Sequence, residues 1–381
     1  MTKEIPKRKI PVCSPFLNGQ EMEFVTEALK DGWISSSGKY VTAFEQEFSR
    51  YCGAGYGIAV CNGTMALHLA LVALGIGPGD EVIIPDFTMI ASALAVVYTG
   101  ARPVFVDAHP DTWNIDVSAI EAKITKKTRC LMPVSIFGNP CDMDAIKAMA
   151  QKHHLFVIED AAESHGAEYK AKKTGSLADI TAFSFFANKN LTTGEGGMVV
   201  TNDKKLADRC RYFKNLCFPL EGPRNYIHED IGFNYRMSNL HAAIGLAQVQ
   251  KADEYRAMRI KNARLYQELL KDVPGIIFQK DTSDSLHVHW MNAILLDPVL
   301  FGKTRDQLMA SLAQQGIETR LLFIGMHRQP CLQRLGCDSQ GAYSITDNLA
   351  FNGLYLPSAS HLTDEDIRYV CQCIQRTCSC A

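Results

Sequence analysis

The stretch GYGIAVCNGTMALHLALVALG, residues 55–75, decides the fold class. A short apolar run, YGIAV, is followed by an Asn-Gly-Thr turn and then by an apolar helical pattern. The same alternation continues through EVIIP, PVFVD, CLMPVS and LFVIED and fills about residues 55–210. Strands that alternate with helices form right-handed βαβ units, so the sequence predicts an α/β fold with a mainly parallel sheet covered by helices.

The second half of the chain has a different pattern. Residues 238–273 form one long helical pattern that Pro274-Gly275 ends. Beyond it we expect a strand in HWMNAILL, a helix in TRDQLMASLAQQG, a helix near residues 343–351 and a last helix opened by a capping box at Thr363–Asp366. The sequence therefore predicts a large α/β domain with an N-terminal arm over residues 1–250 and a smaller α+β domain over residues 251–381.

Composition excludes several classes of protein. The 381 residues carry a formal net charge of −2, so no charge excess points to nucleic acid or to a membrane surface. The N-terminus has no apolar signal region, and no run approaches the roughly 18 apolar residues of a membrane span. Thirteen scattered cysteines fit free thiols in a reducing compartment. We expect a cytoplasmic protein that acts on small molecules or on protein partners.

The C-terminal CQCIQRTCSC groups Cys371, Cys373, Cys378 and Cys380 as two C-x-C pairs. Four thiolates could bind zinc or an iron–sulfur cluster, but zinc sites usually show C-x₂₋₄-C spacing. The stretch also continues an amphipathic helix. We expect no metal here.

Polar side chains follow three of the predicted strands, where ligands of open α/β sheets bind. Asn62-Gly63-Thr64 follows YGIAV and opens a helix, whose free N–H groups favour an anion; Thr64 as a plain helix N-cap is the alternative. Asp160 ends LFVIED, with Glu163 three residues on. A carboxylate at the end of so apolar a strand needs a cationic or hydrogen-bonding partner, unless it only caps a helix.

The third strand end is SFFANKNLTTGEGGMVV, residues 184–200. Ser184 ends an apolar run, Lys189 follows five residues later, and Gly-Glu-Gly-Gly turns the chain back into a strand. A buried lysine has a lowered pKa and can form a Schiff base with an aldehyde such as that of pyridoxal phosphate. An anion site, an aspartate, a serine and a lysine at strand ends are together the parts that this cofactor requires.

Four segments carry a resemblance over about residues 11–357: NGTMALHLALVALGIGPGDEVIIP, VIEDAAESHGAEYK, SFFANKNLTTGEGGMVVTND and GFNYRMSNLHAAIGLAQ. They resemble the nucleotide-sugar aminotransferases of the DegT/DnrJ/EryC1/StrS family. The resemblance implies a fold type I pyridoxal phosphate enzyme, with a mixed, mainly parallel seven-stranded sheet in its large domain. Lys189 would be the Schiff-base lysine and proton carrier, Asp160 would pair with the pyridine nitrogen, and Glu163 would lie near the ring hydroxyl.

The same resemblance implies how the cofactor phosphate is held. Gly63, Thr64 and Ser184 would bind it, and Asn234 would reach the phosphate of a neighbouring subunit. That role implies a homodimer with shared active sites.

The sequence departs from the family at one cofactor contact. Relatives place an aromatic residue after Pro-x-x-Thr to stack on the cofactor ring, whereas here Met89 follows Thr88. A thioether can lie against an aromatic ring, so Met89 is a candidate contact, with Phe87 as the alternative.

Within the family, GWISSSGKYV, GNPCDM and GFNYRMSN resemble segments typical of perosamine synthases. This implies transfer of an amino group from L-glutamate to the 4-keto carbon of GDP-4-keto-6-deoxy-D-mannose, for surface polysaccharide. Trp33, Arg320 and His327 are candidate contacts of this nucleotide sugar. The familiar H-x-Y-W-M becomes His287-Val288-His289-Trp290-Met291, so a UDP- or dTDP-linked keto-sugar, or amination at carbon three, is an alternative. A non-catalytic regulator is another, against which Lys189, Asp160 and Ser184 speak together.

Overall fold

The computed structural model describes residues 8–222, 226–337 and 341–378. The strands are β1 Tyr56–Val60, β2 Glu81–Pro85, β3 Arg102–Val106, β4 Thr128–Leu131, β5 Phe156–Asp160, β6 Glu168–Tyr169, β7 Lys172–Lys173, β8 Ile180–Ser184, β9 Gly197–Thr201, β10 Ile276–Phe278, β11 Ser285–Leu286, β12 Asn292–Leu296, β13 Arg320–Leu321 and β14 Gly353–Leu356. The helices are α1 Glu21–Lys30, α2 Lys39–Cys52, α3 Gly63–Ala73, α4 Ala91–Tyr98, α5 Val117–Ile120, α6 Met143–His153, α7 Lys204–Lys214, α8 Asn239–Gln250, α9 Ala252–Leu270, α10 Pro298–Phe301, α11 Arg305–Gln314, α12 Pro330–Arg334, α13 Ser344–Asn352 and α14 Asp364–Thr377. Across these three ranges, no helix combines the length and the apolar character that crossing a membrane requires.

The central sheet has seven strands in the order β1-β9-β8-β5-β4-β2-β3. Strands β8, β5, β4, β2 and β3 pair in parallel, while β9 runs antiparallel to both of its neighbours. The predicted α/β fold with a mixed, mainly parallel seven-stranded sheet is therefore confirmed.

Helices cover both faces of this sheet because its strands are apolar on both sides. On one face α3, α4 and α7 pack around residues such as Leu67, Leu71 and Val96. On the other face α2 and α8 pack around an aromatic group that includes Phe44 and Phe183. The buried faces leave the strand ends as the place where polar side chains meet.

A second, antiparallel sheet of order β10-β12-β14-β13 packs against α9, α11 and α14. Its core includes the C-terminal cysteines Cys371, Cys373 and Cys378, whereas Cys380 lies outside the described residues. Helix α14 begins with the predicted capping box between Thr363 and Asp366. The domain boundary at residue 250 stays a prediction.

The helical pattern over residues 238–273 forms two helices in the structure, α8 and α9. Lys251 lies between α8 and α9 with φ −108° and ψ 7°, and its N–H donates to Gln248 O at 3.1 Å. Helix α8 packs on α1 and α2, whereas α9 packs on α14. The start of α9, with Ala252 and Tyr255, shares the core of α8, and its end, with Tyr266 and Leu270, packs in the core of the second sheet.

Candidate active site

A cavity of about 480 Å³ lies at the carboxyl ends of strands β1, β2, β4, β5 and β8. Residues that follow these strands share one edge of the sheet, since the five strands run in the same direction. The cavity is lined by seven of the residues that the sequence singles out: Gly63, Thr64, Met89, Asp160, Glu163, Ser184 and Lys189.

Lys189 projects into this cavity from the turn after β8, and its side chain is 11% exposed. Its Nζ lies 3.7 Å from Glu163 Oε1 and 3.8 Å from the centre of the Trp290 ring. Burial lowers the pKa of Lys189, although the carboxylates of Glu163 and Asp160 oppose that change. A lowered pKa increases the share of neutral amine, which is the nucleophilic form.

Glu163 is held on its other side by the protein backbone. Its Oε2 accepts a hydrogen bond from the Phe137 N–H at 2.8 Å. Burial raises the pKa of Glu163 to about 7, and the nearby Lys189 works against this rise. The carboxyl therefore changes its protonation in the neutral range, directly beside the lysine amine.

Asp160 is the last residue of β5 and is 4% exposed. Its Oδ2 accepts a hydrogen bond from Ser92 Oγ at 2.8 Å, and its Oδ1 accepts one from the Ala162 N–H at 3.2 Å. Ser92 also contacts Thr88, with 3.0 Å between their hydroxyl oxygens. Burial raises the pKa of Asp160, while the bond from Ser92 favours the charged form. A cationic N–H placed in the cavity would stabilise this carboxylate.

The other end of the cavity is the N-terminus of α3. Asn62, not Thr64, is the N-cap, since its Oδ1 accepts from the Met65 N–H at 2.9 Å. The N–H groups at Gly63 and Thr64 belong to the first turn, which has no intrahelical acceptors for them. An anion is stabilised at such a helix end.

Gly63 is required at this helix start by close packing. A Cβ at this position would lie 2.6 Å from Ser184 Cβ and 3.1 Å from Ser184 Cα, closer than side chains approach. Strand β8 and helix α3 therefore approach closely enough to put the Ser184 hydroxyl beside the free N–H groups. The turn after Lys189 and the start of β9 also require glycine. Gly194 has φ +81°, and a Cβ on Gly197 would collide with the Asn62 carbonyl oxygen.

Asn188 adds an acceptor that the protein does not use. Its side-chain oxygen is buried and lines the cavity, but it has no hydrogen-bond partner in the described part of the chain. Buried acceptors of this kind are costly unless a ligand or water satisfies them. The cavity thus fits a molecule with an anionic group near α3, a protonated ring nitrogen near Asp160 and an aldehyde near Lys189. Pyridoxal phosphate has these three groups.

Met89 and Phe87, the two candidates for the contact with the cofactor ring, differ in how far they are buried. Met89 is 48% exposed and lines the cavity, whereas Phe87 is fully buried among Phe137 and Phe323. Phe323 itself also lines the cavity. Met89 is therefore the side chain after β2 that can contact a bound ring.

Asn234, Arg320 and Trp33 do not line the cavity of this chain, and neither does His327. Asn234 accepts hydrogen bonds from Arg236 at 2.7 and 3.0 Å. Arg320 is exposed and pairs with Glu318 at 3.3 Å, and Trp33 is 59% exposed. Their predicted contacts with a neighbouring subunit's phosphate or with a nucleotide sugar stay predictions.

His327 has a different environment from the one expected of a substrate contact. Its Nδ1 lies 2.6 Å from Asp86 Oδ2 and its Nε2 lies 3.4 Å from Asp347 Oδ1. The ring stacks on Tyr343 at 4.6 Å. Burial raises the pKa of Asp86 to about 6, and the bond to His327 opposes that rise. The structure therefore places His327 outside the main cavity and between two carboxylates.

Sequence reasoning missed Ser92, Asn188 and the contact of Trp290 with Lys189. Trp290 Nε1 donates to Asn188 O at 2.8 Å, which fixes the indole beside the lysine. Ser92 lies in the first turn of α4, where a serine is common for helix capping alone. Its position one helical turn after Thr88 is the signal that could have identified it.

Known proteins resemble this chain over nearly all of its length. Residues 15–375 match the model of the DegT/DnrJ/EryC1/StrS aminotransferase family. The GDP-perosamine synthase of Escherichia coli O157:H7 is 45% identical over 365 residues, which cover 96% of this chain and 97% of that protein. The GDP-perosamine synthase of Caulobacter vibrioides is also 45% identical, over 94% of this chain and 95% of its own.

A solved structure agrees with these matches. The structure of DesV from S. venezuelae, in complex with a ketimine intermediate, superposes with a TM-score of 0.88 at 34% identity and covers 94% of each chain. The arrangement around Lys189 and Asp160 and the matches over nearly the full length lead to the same assignment. This chain belongs to the DegT/DnrJ/EryC1/StrS aminotransferase family.

Proposed function

We propose that this aminotransferase uses pyridoxal phosphate to move the amino group of L-glutamate to the 4-keto carbon of GDP-4-keto-6-deoxy-D-mannose, which gives GDP-perosamine. The cofactor proposal is supported by a buried lysine, a strand-end aspartate and an anion-binding helix end around one cavity. The substrate proposal is carried by the 45% identity to two GDP-perosamine synthases over nearly the whole chain.

Pyridoxal phosphate, when bound, supplies an aldehyde that carries the amino group and a ring that takes up an electron pair from the reacting carbon. In the proposed mechanism the Lys189 amine would hold the cofactor at its aldehyde and, when free, would carry a proton between the cofactor and substrate carbons. Its neutral form serves both tasks, and burial favours that form. The Glu163 carboxyl places an acceptor oxygen, Oε1, 3.7 Å from the Lys189 amine.

Asp160 has the task of keeping a ring nitrogen protonated. Its carboxylate would accept the N–H of the ring while Ser92 and the Ala162 N–H hold its two oxygens in place. Without such a partner, burial would favour the uncharged acid. The first turn of α3 and Ser184 would bind the phosphate, so the two ends of the cofactor are fixed about the lysine.

We further propose a homodimer in which Asn234 reaches the neighbouring subunit's cofactor phosphate. Asn234 lies outside the cavity of its own chain and is held by Arg236, which also donates to Asn215 at 3.0 Å. A side chain fixed in this way is preorganised for a contact across an interface.

The substrate is tested with the purified, cofactor-loaded protein and ¹⁵N-labelled L-glutamate. GDP-, dTDP- and UDP-linked 4-keto-6-deoxy sugars are supplied separately, and each product is identified by mass and by the carbon that carries the label. We expect labelled amine at carbon four of the GDP sugar. Turnover of only a dTDP- or UDP-linked sugar, or label at carbon three, would reject the proposed substrate and keep the transaminase. No turnover of glutamate at all would reject both.

A further inference from the structure

Three potential metal ligands meet outside the cofactor cavity, one from the segment before β11 and two from the segment after it. These are Asp281, His287 and His289, and one donor atom from each lies within 4.8 Å of the other two. Neither histidine lines the cavity around Lys189. This cluster therefore has no part in the chemistry proposed above and does not depend on it.

The hydrogen bonds of His287 fix which of its ring nitrogens carries a proton. Its Nε2 lies 3.1 Å from the Phe137 carbonyl oxygen, which can only accept, so Nε2 carries the hydrogen and donates it. In the neutral ring the Nδ1 is then a lone-pair acceptor. It lies 3.0 Å from Asp281 Oδ1, which is another acceptor. Two acceptors this close require a proton or a metal ion between them.

Metal-binding histidines show this same pattern. One ring nitrogen binds the ion, and the other donates to a backbone carbonyl or a carboxylate, which sets the tautomer and orients the ring. His287 has its carbonyl partner in place, with Nδ1 directed at a carboxylate. A proton on Nδ1 could satisfy this pair alone, but it would leave the position of His289 without a role.

His289 is brought to the cluster at a cost in backbone energy. It has φ +48°, a left-handed conformation that is uncommon for residues other than glycine. The conformation stacks its ring on that of His287, with 3.7 Å between the ring centres. Both histidines line a small cavity of about 10 Å³, space for about one water or ion. The two imidazoles thus share one small space, and the Asp281 carboxylate lies against His287 Nδ1.

We propose that Asp281, His287 and His289 bind one divalent transition-metal ion, best matched by Zn²⁺. Zinc accepts imidazole nitrogen and carboxylate oxygen, and three protein ligands plus a water complete its tetrahedral coordination. Asp281 is exposed, so the ion and its water have a path from solvent. This site departs from the expectation, made from the sequence, that the chain has no metal site.

The site is connected to the backbone of the active site. The Phe137 carbonyl accepts from His287, and the Phe137 N–H donates to Glu163. Through His287 the metal would thus help to hold the backbone at Phe137, which in turn holds Glu163.

The test measures zinc bound per chain by the full-length, cofactor-loaded protein after dialysis against buffered micromolar Zn²⁺. We expect one zinc per chain. His289→Phe keeps the stacked ring and removes one ligand, and Asp281→Asn removes the exposed carboxylate; each should raise the dissociation constant at least tenfold. Asp284→Asn is the matched control, because it removes a nearby carboxylate outside the cluster, and asparagine tolerates its φ of +58°.

Each outcome either supports or overturns the zinc site. Loss of zinc from the first two variants, with retention in Asp284→Asn, supports the site. No zinc in the parent protein overturns the proposal in favour of a protonated His287. Zinc that remains in both His289→Phe and Asp281→Asn overturns it too, since the ion would then be bound elsewhere, for example by thiols. If His289→Phe fails to fold, the exposed Asp281→Asn still gives the answer.

Discussion

Removing the hydroxyl of Ser92 should weaken cofactor binding although Ser92 is not among the residues expected to touch the cofactor. Ser92 Oγ donates to Asp160 Oδ2 at 2.8 Å, and both residues are buried. A hydrogen bond to a charged group contributes about 1.5–3 kcal/mol, and about 1.4 kcal/mol corresponds to a factor of ten. In Ser92→Ala the charged form of Asp160, which would pair with the ring nitrogen, loses this stabilisation. The dissociation constant of pyridoxal phosphate should rise about ten- to hundredfold.

The pH dependence gives the sign of the effect. Burial raises the pKa of Asp160 and the Ser92 bond opposes that rise, so Ser92→Ala should raise the pKa further. The acid limb of kcat/KM should therefore move to higher pH, since the carboxylate is lost earlier on acidification. Cofactor titration and steady-state rates between pH 5 and 9 measure both effects.

Ser118→Ala is the matched control for this experiment. Ser118 Oγ also donates to a carboxylate, Asp116 Oδ1 at 2.7 Å, but this pair is exposed and remote from the cavity. It should leave cofactor affinity and the pH profile unchanged. If a folded Ser92→Ala protein binds the cofactor within twofold of the parent and keeps its acid limb, the role assigned to the Ser92–Asp160 bond is refuted.

Three further predictions concern the same cavity. Gly63→Ala places a Cβ 2.6 Å from Ser184 Cβ and should lower the free energy of unfolding by about 1–3 kcal/mol and weaken cofactor retention; an unchanged Tm would contradict the close packing. Burial raises the pKa of Glu163 from 4.5 to about 7, so the cofactor-free protein should lose roughly 3 kcal/mol of stability as pH rises from about 4.5 to 7. Glu163→Gln should abolish that slope in denaturant titrations, and a slope as steep as the parent's would locate the titrating group elsewhere. Met89→Ala should weaken cofactor binding by up to about tenfold with little change in stability, because a sulfur–ring contact contributes about 0.3–1.5 kcal/mol. Phe87→Ala should instead cost about 3–5 kcal/mol of stability, and the reverse pattern would assign the ring contact to Phe87.

The sequence predicts those parts of the site that depend on one strand and the turn after it. Asp160, Ser184 and the Gly63-Thr64 turn each follow an apolar run. Strands β5 and β8 pair in parallel, and β1 runs in the same direction beyond the antiparallel β9, so the three strand ends share one edge of the sheet. The sheet class follows from the same alternation of strand and helix. For these residues local pattern and tertiary position agree.

The parts that the sequence did not predict depend on packing between distant segments. Trp290 lies 101 residues after Lys189, and it reaches the lysine through the segment before β12, which the sequence places in another unit. The break at Lys251 is likewise absent from the helical pattern of the sequence, which continues through that residue. His289 adopts a left-handed conformation that no local residue preference predicts. The periodicity of the sequence predicts none of these three features.

The most direct test of the proposed function is the ultraviolet–visible spectrum of the cofactor-loaded protein, followed as L-glutamate and then GDP-4-keto-6-deoxy-D-mannose are added. We predict a visible band from the lysine-bound cofactor that disappears with glutamate and returns with the sugar, and no such cycle in Lys189→Ala. If glutamate leaves the band unchanged, L-glutamate is not the amino donor and the proposed function is wrong. If Lys189→Ala cycles as the parent does, Lys189 is not the residue that carries out amino transfer.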